Sequence, residues 1–138
     1  MSRVLLSLSL FTVVATALVG CAAITQAFHH EVDRTFTDVH DMGNWVGDAD
    51  WVPADATNVR VHSTVNGMTA VVRVTSHSAL TGCTATARAS LWSFAPSWVP
   101  STAPDTVFAC GAWSVIPVDG GYFGWTASAT DADPAAQK

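Results

Sequence analysis

Residues 57–76, TNVRVHSTVNGMTAVVRVTS, decide the fold. Two alternating runs flank Asn66-Gly67, a dipeptide whose tolerance of left-handed backbone makes it the strongest short hairpin signal. A two-residue turn there pairs Val65 with Met68, Ser63 with Ala70, Val61 with Val72 and Val59 with Val74. Those side chains share a nearly all-apolar face, as a half-buried sheet requires. The opposite face pairs Thr64 with Thr69, His62 with Val71 and Arg60 with Arg73. Two like charges directly opposite cost up to about 1 kcal/mol.

Working outward, Cys83 to Leu91 alternates small apolar residues with Thr84, Thr86, Arg88 and Ser90, and reads as a third strand with an alanine-rich helix over 83–94 as its competitor. Were it to pair with the hairpin, Arg88 would extend Arg60 and Arg73 into a basic stripe. Pro96, Pro100 and Pro104 make the stretch between Phe94 and Asp105 a loop that joins no ladder. Val107 to Val118 and Tyr122 to Ser128 then flank Asp119-Gly120, a second hairpin signal, with Pro117 confined to an edge or bulge. On the other side, Val32, Phe36 and Val39 stand at i, i+4 and i+7, which suits a short amphipathic helix or a simple stalk. The fold class is therefore mainly β (the alternative being α+β): a small antiparallel sheet or sandwich with two hairpins.

Composition sets limits on function. The chain has 138 residues, enough for one domain. Six basic against eleven acidic side chains give a formal charge of −5, which argues against nucleic acid, because neutralising phosphates needs a basic surface. Charged residues are 12% and hydrophobic ones 49%, which excludes an intrinsically disordered chain. No nucleophile elbow, phosphate loop, zinc spacing or calcium loop is present, so no catalytic residue and no cofactor are assigned. His29, His30 and His40 lie among Glu31, Asp33, Asp38 and Asp41, but adjacent histidines on a solvated segment more often bind nothing, and no metal is assigned.

The leading segment carries the localisation. Val4 to Phe28 holds no charged residue and follows Arg3, the profile of an export signal or of an anchor across the membrane. Within it, Leu18-Val19-Gly20-Cys21 resembles the lipobox of bacterial lipoproteins. That resemblance implies lipidation of Cys21, with residues 1–20 as a signal peptide. The alternatives are an uncleaved transmembrane helix over 4–28, or simple secretion. Each puts the remainder of the chain on the extracytoplasmic side of the cell membrane. Residues 21–44 then read as a tether, 45–130 as the domain and 131–138 as a frayed, disordered tail. If Cys21 takes lipid, Cys83 and Cys110 remain as an even pair, expected to form a disulfide in an oxidising compartment, with two buried free thiols as the alternative. Thr81-Gly82-Cys83 resembles the nucleophile motif of L,D-transpeptidases, but Thr84 and Ala85 stand where that motif needs an arginine.

Trp51 to Val61, with Cys110-Gly111-Ala112-Trp113 and Gly121 to Trp125, resembles small envelope proteins of actinobacteria. The resemblance implies an anchor and a small extracytoplasmic domain, and brings no activity. Six tryptophans suggest core bulk above all, with Trp98 and Trp125 the best candidates for exposure. The expectation is a membrane-tethered, non-catalytic binding or structural module of the bacterial cell envelope, with an envelope polymer or a protein as candidate partner. Its candidate ligand-binding residues are Arg60, Arg73, Arg88, Trp98 and Trp125. A glycan- or anionic-polymer-binding protein and a small envelope hydrolase are the alternatives.

Overall fold

The computed structural model describes residues 30–127. The leading segment, Cys21 and the expected tail at 131–138 lie outside the described residues. Seven strands, β1 (Glu31–Asp38), β2 (Thr57–Thr64), β3 (Ala70–Thr75), β4 (Thr84–Ala87), β5 (Thr106–Cys110), β6 (Trp113–Val118) and β7 (Gly121–Thr126), form one antiparallel sheet. Their order is β1-β2-β3-β7-β6-β5-β4, so the last strand among the described residues is the central one. The one helix among the described residues is the single turn α1 (Val39–Met42), capped by Asp38, whose side chain accepts from the Asp41 amide. No helix among the described residues is long and apolar enough to cross a membrane.

The β2–β3 hairpin has the expected register from Arg60↔Arg73 to Ser63↔Ala70. It departs at both ends. At the open end the ladder slips between Thr57 and Arg60, where Asn58 has φ 49°, a left-handed conformation that asparagine tolerates and that a bulge requires. At the turn, Val65 and Met68 do not pair. The loop runs from Thr64 to Thr69, with the Gly67 amide on the Thr64 carbonyl and Gly67 at φ 71°. The Val65 amide is taken instead by the His30 carbonyl of the neighbouring chain segment.

Three other expectations change. Residues 31–38 are a strand, not a helix or stalk, and pair along β2 from Glu31↔Thr64 to Asp38↔Thr57. Val32 and Phe36 are four apart, a spacing that lands on one face in both periods, and the free edge of β2 selects the strand. Strand structure thus reaches back to Glu31, inside the expected tether. The run at 83–91 is a strand only over β4, and it pairs with β5 at the far edge rather than with the hairpin. There is one sheet and no sandwich among the described residues. Gly111-Ala112 adds a third hairpin connection, of two residues, with Gly111 at φ 61° splitting what reads as a single run. The Asp119-Gly120 turn forms as expected, pairing Val118 with Gly121. Pro117 pairs with Tyr122, beyond the point where the β5–β6 ladder has ended at Phe108↔Val115, so its missing N–H costs no bond there.

A single sheet needs both faces covered. On the front face, Val59, Val61, Val72, Val74 and Val115 meet Met42, Trp45, Trp51 and Val52 from the segment after β1. Trp51 lies so close over Gly124 that a methyl there would sit 2.5 Å from the ring. On the back face, Val71, Val107, Ile116, Phe123 and Trp125 are covered by Trp92, Phe94, Trp98 and Val99 of the proline-rich loop. Cys83 and Cys110 form a disulfide with Cα atoms 4.5 Å apart, joining the start of β4 to the end of β5.

Candidate functional site

Arg60 on β2 and Arg73 on β3 are cross-strand neighbours on the back face, in the bend between the sheet and the proline-rich loop. Arg73 Nη1 donates to the Trp98 carbonyl at 2.8 Å, which fixes one end of its guanidinium and leaves other N–H groups to point outward. Arg60 is exposed and makes no ion pair among the described residues. With Asn58, Thr75, Trp98 and Asp119 the two arginines line a cavity of about 500 Å³. Asp119 is the one carboxylate in that lining, so the cavity carries a net positive charge on an acidic protein.

Beside it on the same face lies His62. Its Nδ1 is 2.7 Å from Asp33 Oδ1, its Nε2 is 3.0 Å from Glu31 Oε2, and its ring meets the Phe94 ring edge-on. Only the imidazolium can donate from both nitrogens at once. Burial pulls the His62 pKa down, but hydrogen bonds and charge from Asp33 and Glu31 outweigh it and hold the group above its ordinary value. The alternation Glu31-x-Asp33 could have signalled this pair, had the segment been read with a strand's period.

A second cavity, about 370 Å³, opens on the front face between Trp51, Trp113, Cys110 and the acids Asp48 and Asp50. The Asp48 carboxylate, by hydrogen bond and by charge, pushes the Asp50 carboxyl up from its ordinary range. The Trp113 indole donates to the Asp48 carbonyl at 2.7 Å, which holds that wall in place. Asp55 accepts from the Ser76 hydroxyl at 2.6 Å and from the His77 amide at 3.0 Å, and these bonds lower its pKa. Ser76 thus gives its proton to a carboxylate, not to an imidazole. Asp38, His40 and Asp41 bring ligand-type atoms within 4.8 Å of one another at the surface, with Asp38 already engaged as the cap of α1.

Of the five expected ligand-binding residues, the fold brings three together: Arg60, Arg73 and Trp98. Arg88 is corrected. It lies by the opposite edge of the sheet, where its Nε donates to the Pro104 carbonyl and its Nη2 is 3.8 Å from Asp105. Trp125 is corrected too. Its ring is fully buried between the sheet and the proline-rich loop, stacked near Phe123 and edge-on to Trp92, because position 125 points to the same side as Phe123. Comparison with family models, with curated proteins and with solved structures returns no match to this chain.

Proposed function

We propose that this chain is a membrane-tethered, extracytoplasmic and non-catalytic binding module of the bacterial cell envelope, whose back-face cavity takes an anionic polymer. One observation carries the reading: Arg60 and Arg73 face each other across adjacent strands with no carboxylate bonded between them among the described residues. That arrangement costs free energy in the empty protein, and an anion between the two guanidinium groups relieves it. Trp98, half-buried at the rim, offers a ring face for the sugar or glycerol units that carry such anions.

The position of the cavity favours a polymer over a lipid headgroup. The chain enters the sheet at His30, beside Thr64 and Val65, whereas Asn58, Thr75 and Asp119 of the cavity stand at the other end of their strands. Arg60 and Thr64 are four positions apart, roughly 13 Å along an extended strand. A lipid on Cys21 or an anchor helix over 4–28, arriving from that end, therefore leaves the arginines turned away from the bilayer.

The test uses soluble poly(glycerol phosphate) and, separately, vesicles containing phosphatidylglycerol. Arg60→Gln with Arg73→Gln is expected to weaken polymer binding by about tenfold or more, since each charge-assisted contact contributes on the order of 1 kcal/mol. Binding of the intact protein is also expected to fall with salt. Unchanged polymer affinity in the double variant would retire the proposal, and loss confined to vesicle binding would reassign the site to headgroups.

A further inference from the structure

The hairpin tip gathers three of the four large apolar side chains that the described surface exposes to water. Val46, Val65 and Met68 are 66%, 55% and 74% exposed, and Leu91 is the fourth exposed large hydrophobic among the described residues. Val65 and Met68 flank Asn66-Gly67 at the turn, and the backbone of Val46 and Gly47 packs directly on Gly67. The three side chains thus crown a single end of the molecule. Turns that face water are built from small polar residues, so apolar groups at a tip without a packing partner point to a different solvent.

The same tip is where the chain arrives. The His30 carbonyl accepts from the Val65 amide at 2.8 Å, which fixes the junction with residues 1–29 beside the turn. Residues 4–28 carry no charge. Residues 63–69 also carry none, and Glu31, the nearest acid on β1, is turned toward His62. Asp48, two residues after Val46, lines the front-face cavity with Asp50. Lys and Arg are absent from the tip, so nothing there selects anionic lipid.

We infer that Val46, Val65 and Met68 form a membrane-interface contact, dipping into the boundary between headgroups and acyl chains of the bilayer that holds the leading segment. The inference rests on the tethered reading above and adds an orientation to it. Each methylene moved from water into that boundary favours the seated pose by up to about fourfold. Methionine suits the task, because its unbranched side chain adapts to a fluid surface.

The experiment uses the full chain in phosphatidylcholine vesicles, with an environment-sensitive fluorescent amino acid incorporated at position 68 or, as control, at position 101 in the proline-rich loop. Both labelled chains are first checked for an unchanged unfolding midpoint. The label at 68 is expected to be quenched by a nitroxide carried on the lipid and shielded from aqueous iodide, with the reverse at 101. Iodide quenching at 68 equal to that at 101, in a chain that still floats with the vesicles, overturns the inference and leaves the tether standing. Shielding of 68 from both quenchers assigns the tip to protein, either residues 1–29 or a second copy, and also overturns it. A chain that does not float with the vesicles overturns the tether and the inference together.

Discussion

His62 makes a pH-dependent clasp between β1 and β2. Asp33 and Glu31 face it from β1, Arg60 is the nearest charge on its own side of β2, and Phe94 closes over it from the proline-rich loop. Because the folded pKa lies above the unfolded value, near 6.5, its contribution is complete below that value and is lost as pH rises through the folded pKa. The expected outcome is a urea midpoint that falls as pH rises above about 6.5, with His62→Gln flattening the slope. An identical slope in that variant would show that the clasp carries no weight. Removing the charged hydrogen bonds altogether, with His62→Ala, is expected to cost about 1–3 kcal/mol. At this scale the sequence was partly legible: Arg60 and Arg73 could be placed face to face from alternation alone. The clasp could not, since the identity of β1 depends on a partner some thirty residues away, and a spacing of four fits both helix and strand.

Among the elements, β4 depends most on covalent help. All four of its side chains are exposed, it borders a single neighbour, and the disulfide ties its start to β5. The bridge joins residues 27 apart in sequence. Replacing both cysteines with alanine is expected to lower stability by about 3–4 kcal/mol on the chain-entropy account of a loop this long. Amide exchange should then rise first in β4 and the proline-rich loop, while β2 and β3 keep their protection. A uniform rise across all seven strands would mean that the bridge constrains only the unfolded chain. Elements with a local signature were readable: Asn66-Gly67 and Asp119-Gly120 marked turns because the residues themselves permit left-handed backbone. The loop at 65–68 is wider because Asn66 Oδ1 accepts from the Met68 amide and the Thr64 hydroxyl, a local turn, while the distant His30 carbonyl captures the Val65 amide. Trp125 was misplaced for a related reason. The cover over its face comes from a loop that reads only as proline-rich and non-ladder.

At the scale of the molecule, the sheet consists of two three-stranded halves, β1-β2-β3 and β6-β5-β4, joined through β7. Tryptophans and a valine-rich middle announced a mainly β core, but strand order is a property of long-range pairing and had no trace in composition or spacing. A chain ending at Asp119 is expected to lose cooperative unfolding and the near-ultraviolet signal of its tryptophans, because β3 and β6 would both lack their shared neighbour. A sharp melt in that truncated chain would show that one half folds without the other. The position of β7 also bears on biogenesis. Ribosomes deliver β7 after the six other described strands, so a nascent chain without it lacks the strand that bridges β3 and β6. The sheet therefore closes only once residues 121–126 have emerged, and until then the valines flanking the gap remain an unprotected target for chaperones and proteases.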